Sequence, residues 1–346
     1  MKKVVILGHF AFNKDKANGQ TIKTKIVAAE LQRVLGHEEV GMEDTMGGIR
    51  FLLRLPFVLL RMLRHYQNIV FLPAYKGVRI IVPPLVLMNF LFRRKLHYVV
   101  IGGWLSGYVR KNPILRWALG RLNGIYVETQ SMKQELEAIA HLHNLLVMPN
   151  CKPLNIVNES DFPTQTNPPY KLCTFSRVMK KKGIEDAILA VRHCNQDSGH
   201  VTYSLDIYGM VEPGEETWFE ELMKGQPSYI KYGGIIPFSE STRVLKDYFA
   251  MLFPTHFYGE GFAGTIIDAL SAGIPTFASE NPSNRELIDE GKTGMLFPLG
   301  SAESLGKLLQ DMADNPSKVE AMKVNCIAKA GEYLPEIVLK TLTERL

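Results

Sequence analysis

The sequence predicts an α/β protein of two domains, each built on a mainly parallel sheet, and three observations carry that expectation. Apolar runs of strand length alternate with segments of helical period in both halves, the pattern of successive βα units. A polar, proline-rich stretch near the middle, Ser160-Asp161-Phe162-Pro163-Thr164-Gln165-Thr166-Asn167-Pro168-Pro169, reads as a linker. With 346 residues the chain is long enough for a separate core on each side of it. The expected layout is a first domain over residues 1–160, a second over 161–330, and a C-terminal helix over 331–346 returning to the first. Ligands of open α/β sheets sit beyond the carboxyl ends of the strands, so a cleft between two such sheets is the default site.

Val4–Leu7 is too short an apolar run for a secretory leader, and no small-residue cleavage site follows it; it reads as a first buried strand. Ile69–Leu72, Tyr98–Ile101, Gly124–Val127 and Leu145–Met148 continue the first sheet. Leu172–Phe175, Tyr203–Ile207, Ile230–Tyr232, Ala250–Phe253 and Thr276–Ala278 form the second. From Ile49 to Tyr66 a helix would gather Arg50, Arg54, Arg61, Arg64 and His65 within roughly 100° of arc. The rest of its surface is Phe, Leu, Val, Ile and Met, with Pro56 expected to kink it or split it in two. Val82 to Phe92, ending in Arg93-Arg94-Lys95, is a second apolar stretch, shorter than the roughly 20 residues that span a bilayer. Two readings stay open for these segments: docking on an anionic membrane surface, or buried helices whose charged edges face water.

Composition narrows the class. Hydrophobic residues make up 46% and charged ones 22%, the profile of a soluble globular protein. Cys151, Cys173, Cys194 and Cys326 are scattered without a C-x-x-C pair, which argues against a disulfide framework or a zinc site and suits a reducing cytosol. The net charge of +5 is unevenly spread. Residues 1–160 hold 22 Lys and Arg against 10 Asp and Glu, and residues 161–346 hold 18 against 25. The basic first half would attract a polyanion: nucleic acid, anionic lipid or a phosphorylated substrate. No nucleic-acid module is recognisable, and the basic residues ride on apolar helices, so nucleic acid is not expected as a partner.

Chemistry concentrates in the second half. A strand runs into Ser176-Arg177, and Lys182-Gly183 follows before an apolar helix from Ile184. Two cations at a strand end, one able to bond bidentately, suit a diphosphate, although Arg-x4-Lys alone is common on surfaces. Phe253 to Pro275 then reads as strand, glycine-rich loop, helix, sharp stop and next strand. Gly259, Gly261 and Gly264 permit close backbone approach, and a helix starting near Thr265 would aim free N–H groups at an anion. Glu260 at the loop tip could accept hydrogen bonds from sugar hydroxyls, or be only a helix N-terminal charge. Asp268 could hold a ribose, or be an ordinary exposed helix aspartate.

Together these residues resemble the retaining glycosyltransferases of family 4 (glycosyl transferases group 1), which have the GT-B fold. That family's donor motif is a Glu, seven residues, a second Glu, a small-residue helix end and Gly-x-Pro; here stand Glu260, Asp268 and Ala272-Gly273-Ile274-Pro275. Met148-Pro149-Asn150, Ser176-Arg177, Lys182-Gly183, Leu205-Asp206-Ile207-Tyr208-Gly209, Tyr232-Gly233-Gly234-Ile235-Ile236 and Gly291 to Pro298 match further segments, covering nearly all of residues 145–320. The resemblance implies two Rossmann-like domains facing each other across a cleft, a nucleotide-diphosphate sugar donor with UDP-sugar favoured, and no bound metal or other cofactor.

It also assigns roles by position. Arg177 and Lys182 would neutralise the donor diphosphate, and Glu260 would bind the transferred sugar. The backbone of Gly261, Phe262, Ala263, Gly264 and Thr265 would approach sugar and β-phosphate, beside Gly209. Asp268, one methylene shorter than the family's usual Glu, would hold the ribose hydroxyls. Gly19, in Gly19-Gln20-Thr21, resembles a glycine near the diphosphate at the family's first helix entrance. Many members carry a His after a middle strand of the first domain; this chain has Ile101-Gly102-Gly103-Trp104, so the acceptor side stays unassigned. His9 and Trp104 could serve there or simply pack. The absence of G-x-G-x-x-G after the first strand weakens a dinucleotide-dehydrogenase reading.

The expected function is therefore a retaining transfer of sugar to an acceptor hydroxyl. A lipid-linked saccharide of bacterial surface-polysaccharide synthesis is the expected acceptor, met by a cytoplasmic protein lying peripherally on the inner face of the cell membrane. The alternatives are a non-catalytic nucleotide-sugar-binding homologue and a nucleotide-sugar epimerase.

Overall fold

The ten expected strands all form, with ends shifted by a few residues, in a computed structural model that describes residues 1–12, 19–73, 75, 77–163, 165, 167–257 and 260–346. Gly259, Thr164, Thr166 and the part of the loop after His9 that covers 13–18 lie outside the described residues. The chain divides into two units. One comprises Met1–Pro153, Gly259–Phe262 and Tyr333–Leu346, and the other Leu154–Tyr258 and Ala263–Glu332.

The first unit runs β1 (Lys2–Gly8), α1 (Gly19–Leu35), β2 (Val40–Asp44), α2 (Ile49–His65), β3 (Tyr66–Phe71), α3 (Gly77–Phe92), β4 (Lys95–Val99), α4 (Leu105–Arg110), α5 (Pro113–Leu119), β5 (Gly124–Val127), α6 (Gln130–Ala140) and β6 (Leu145–Val147). Its six strands pair in parallel in the order β2-β1-β3-β4-β5-β6. Strands buried on both faces need helices on both faces, and alternate residues of each strand serve them. Val5, Leu7, Ile69 and Phe71 join a core with Leu59, Met62, Val82 and Leu85 of α2 and α3. Val4, Ile6, Val70 and Leu72 face Val27 and Leu31 of α1, together with Val338, Leu339 and Leu342 near the C-terminus.

The second unit runs β7 (Tyr170–Phe175), α7 (Ile184–Ser198), β8 (Tyr203–Tyr208), α8 (Glu216–Met223), β9 (Ile230–Gly234), α9 (Ser241–Leu245), β10 (Ala250–Phe253), α10 (Gly264–Ser271), β11 (Thr276–Ser279), α11 (Pro282–Leu287), β12 (Gly294–Phe297), α12 (Ala302–Asp314) and α13 (Pro316–Ala330). Its parallel sheet has the order β12-β11-β10-β7-β8-β9. The chain then returns to the first unit with α14 (Pro335–Val338) and α15 (Lys340–Thr343).

Two strands escape the sequence reading, β2 and β12, and both lie at sheet edges. An edge strand packs fewer neighbours and tolerates polar residues; only Val40 of β2 is buried. The split expected at Pro56 does not occur: α2 runs unbroken from Ile49 to His65. Pro56 is exposed, so water can satisfy the carbonyl that its missing N–H leaves free. The helix buries one apolar stripe and exposes another. Leu55, Val58, Leu59, Met62 and Leu63 are buried, while Leu53 and Phe57 are 72% and 75% exposed beside Arg50, Arg54 and Arg64. Arg61 pairs with Glu43. No helix among the described residues is long and apolar enough to cross a membrane.

Candidate active site

In the second unit the strand order reverses between β7 and β10, and there the loops at the carboxyl ends of the strands part to leave a crevice. A pocket of about 240 Å³ occupies this point. Its lining comes from Phe175 and Ser176 at the end of β7, Tyr208 to Met210 at the end of β8, Ile235 and Ile236 after β9, and Thr265 and Asp268 of α10. The sheet topology thus brings Gly209 to Thr265 and Asp268 of α10, which lie far along the chain from it.

Backbone constraints build this pocket. Gly209 has φ +137°, and a Cβ there would stand 1.8 Å from the Ser176 carbonyl oxygen, so only glycine lets the two loops touch. Its own carbonyl accepts a hydrogen bond from Tyr232 Oη at 2.8 Å. The Thr265 hydroxyl donates to the carbonyl of Phe175, tying the first turn of α10 to the end of β7. Ala263 precedes that helix as its cap residue, and Gly264 is its first residue.

Asp268 is not the exposed helix aspartate of the plainer reading. It is 6% exposed, lines the pocket, and its Oδ1 accepts from Ser241 Oγ at 3.1 Å. A buried carboxylate costs free energy unless it is hydrogen-bonded, so this one is a built feature. Beneath the pocket, Tyr248 donates to Asp206 Oδ2 at 2.7 Å and meets the Tyr208 hydroxyl at 2.8 Å. Burial first, then those two hydrogen bonds, push its phenol far above the ordinary range.

Arg177 and Lys182 both follow β7 in the chain, and neither is among the residues that line this pocket. Arg177 follows Ser176 directly, and its Nη1 reaches Glu212 Oε2 at 2.9 Å with half its side chain in solvent. Lys182 closes a short turn, its Nζ 5.2 Å from the Phe253 ring centre and 5.7 Å from that of Phe257. Gly183 ends the turn at φ +69°, where a Cβ would collide with the Pro254 carbonyl oxygen at 2.0 Å.

Glu260, Gly261 and Phe262 belong to the first unit. Glu260 is half-buried and Phe262 is buried, its ring edge-on to Tyr333 at 5.1 Å. Gly19 opens α1 in the same unit, with open space where a side chain would stand. The first sheet has its own reversal between β1 and β3, and a mainly apolar pocket of about 230 Å³ lies there. His9, Gln20 and Thr45 supply its polar edge, while Phe51, Leu52, Ile80 and Ile81 supply apolar wall. Trp104 does not line it. Its indole N–H donates to Ile101 O at 2.8 Å, and its ring packs against Tyr75 and Tyr108.

Sequence reasoning missed one buried pair, Lys23 and Glu128, each 3% exposed. A signal was present: Lys23 falls four residues before Val27 on the apolar stripe of α1, where a lysine needs a partner.

The family model described as glycosyl transferases group 1 matches residues 157–329, half of the chain. The amylovoran biosynthesis glycosyltransferase AmsK of Erwinia amylovora is 27% identical over 183 residues, 51% of this chain and 44% of its own length. The UDP-N-acetylglucosamine–peptide N-acetylglucosaminyltransferase GtfA subunit of Streptococcus pneumoniae is 25% identical over 197 residues, 54% of this chain and 37% of its own. The chain thus spans less than half the length of these curated relatives. The structure of Anabaena HepE in complex with UDP matches with a TM-score of 0.78 at 16% identity, covering 99% of this chain and 98% of that one. That likeness shows the fold, GT-B with two Rossmann-like parallel sheets. The match of the family model across the unit that holds the Asp268 pocket then says what that unit is: the chain belongs to the glycosyl transferases group 1 family.

Proposed function

We propose that the protein is a retaining glycosyltransferase that moves a sugar from a nucleoside-diphosphate sugar, with a UDP-sugar favoured, onto an acceptor hydroxyl. The observation that carries this reading is the pocket at the β7/β10 reversal, with the buried Asp268 carboxylate at one wall and Arg177 directly after the lining residue Ser176. Asp268 holds the ribose hydroxyls, Arg177 and Lys182 neutralise the diphosphate, and the first turn of α10 faces its oxygens. Glu260 holds the transferred sugar. The acceptor oxygen bonds to the anomeric carbon on the face the leaving group departs from, the bond to the β-phosphate oxygen breaks, and that phosphate takes the hydroxyl proton. Products are the glycosylated acceptor and the nucleoside diphosphate. UDP in the HepE structure and the names of the curated relatives support the donor class.

The acceptor in this proposal is a lipid-linked saccharide of bacterial surface-polysaccharide synthesis, in keeping with AmsK and with a putative colanic acid biosynthesis glycosyltransferase WcaL of Salmonella typhimurium, 26% identical over 149 residues. The apolar pocket beside His9 receives it, and the basic and apolar outer face of α2 rests on the inner face of an anionic membrane. No metal takes part, the two cations and the α10 terminus supplying the positive charge. The test is calorimetric binding of UDP, GDP, ADP and CMP without metal, followed by a sugar screen with the anomeric configuration read by NMR. Selective binding of one nucleotide and transfer with retention are expected. Folded protein that binds none of the four overturns the donor assignment, and release of an altered donor without acceptor makes it an epimerase.

A further inference from the structure

The Lys23–Glu128 pair lies outside every role assigned above. Glu128 follows the last residue of β5, and its Oε1 meets Lys23 Nζ of α1 at 2.5 Å. Its Oε2 accepts two backbone N–H bonds, from Gly102 at 3.2 Å and from Phe262 at 3.3 Å. A Cβ on Gly261 would stand 2.7 Å from that same oxygen and 3.0 Å from the Gly102 Cα, so the Gly261–Phe262 peptide lies directly on the carboxylate. Phe262 is pinned again through its carbonyl, 3.4 Å from Asn150 Nδ2. All these residues belong to the first unit.

A buried ion pair is weak support for stability, since apolar residues of similar volume commonly serve as well. This carboxylate spends its second oxygen on two loops instead of on the core. One is the Gly102 loop, which carries the departure from the family's acceptor-side pattern. The other leads from Glu260 into α10.

We propose that Glu128, held in place by Lys23, is a positioning residue: it fixes the Gly102 loop and the Gly261–Phe262 peptide against each other and so places Glu260, the residue just before that peptide, for the transferred sugar. The inference rests on the proposed function for the role of Glu260. It predicts a defect in turnover without a defect in nucleotide binding, because the nucleotide pocket is lined wholly by the second unit.

Three variants separate this role from plain stability. Lys23→Met/Glu128→Leu removes both charges together and leaves no orphaned ion, so it is expected to fold. Lys23→Met/Glu128→Gln also removes both charges but keeps an oxygen for the two N–H groups. Glu128→Ala completes the set. In the Leu variant kcat should fall at least about tenfold while UDP affinity and donor KM stay within about twofold, and donor hydrolysis should gain on transfer. The Gln variant should recover most of the lost kcat. Hydrogen exchange at the Gly102 and Phe262 amides should quicken at least about tenfold in the Leu variant and much less in the Gln variant.

Unchanged kcat and unchanged exchange in a folded Leu variant would overturn the proposal. So would losses of kcat and UDP affinity that fall in step with melting temperature. Wild-type protein that transfers no sugar defeats the proposed function instead, and the exchange measurement still decides whether Glu128 holds the two loops.

Discussion

Replacing Arg177 by Ala probes the donor site most directly, because the guanidinium already has a competitor. It is half in solvent and bonds Glu212 at 2.9 Å, an exposed pair worth about 0.2–1 kcal/mol. A diphosphate oxygen taking its place would gain a charge-assisted bond worth about 1.5–3 kcal/mol. The difference, about 1–2 kcal/mol, sets the expected loss in Arg177→Ala at about 5- to 30-fold in UDP affinity. Glu212→Gln releases the arginine from its partner and should tighten UDP by up to about fivefold. Isothermal calorimetry in metal-free buffer at fixed ionic strength reads both, with melting curves to confirm that each variant folds. Unchanged affinity in Arg177→Ala, or weaker binding in Glu212→Gln, would refute the placement of the diphosphate beside this strand end.

Other outcomes follow from the same geometry. Gly209→Ala forces a Cβ against the Ser176 carbonyl at a position with φ +137°, and should cost about 1–3 kcal/mol of stability and most UDP binding; wild-type melting and affinity would contradict the packing described. His97 is 1% exposed, and burial first, then Lys95 and Arg345, hold its imidazole down at about 4 against an ordinary 6.5. Between those values the unfolded chain binds the extra proton, so this stability is whole above pH 6.5 and is lost as pH falls toward 4, up to about 3 kcal/mol. Denaturant titrations from pH 7 to 4 should show the slope, and His97→Gln should flatten it. Leu53→Ser/Phe57→Ser on the exposed face of α2 should weaken binding to anionic vesicles about tenfold. Equal binding of the wild type to neutral and anionic vesicles would remove the membrane role.

Much of this protein can be read from local pattern. Strands buried on both faces announce themselves as unbroken apolar runs such as Val4–Leu7, and the Gly-rich loop before α10 marks its own turn chemistry. The polar stretches between them show where the chain must stay in water. These signals work because each depends on residues adjacent in sequence or within one helical turn. The edge strand β2 was not legible for the same reason: of its residues only Val40 is buried, so its composition carries little trace of pairing.

Non-local desolvation lies beyond that reach. Asp268 looks like any helix aspartate until α9 brings Ser241 to it and the two are buried together. Lys23 on an apolar stripe asks for a partner, but only the tertiary fold brings Glu128, the residue after β5, to it. The sequence by itself determined the alternation of strands and helices, the two sheets and the family motifs. Tertiary structure alone decided which charged groups are buried and with whom, because burying a charge depends on everything packed around it and hardly at all on its neighbours in the chain.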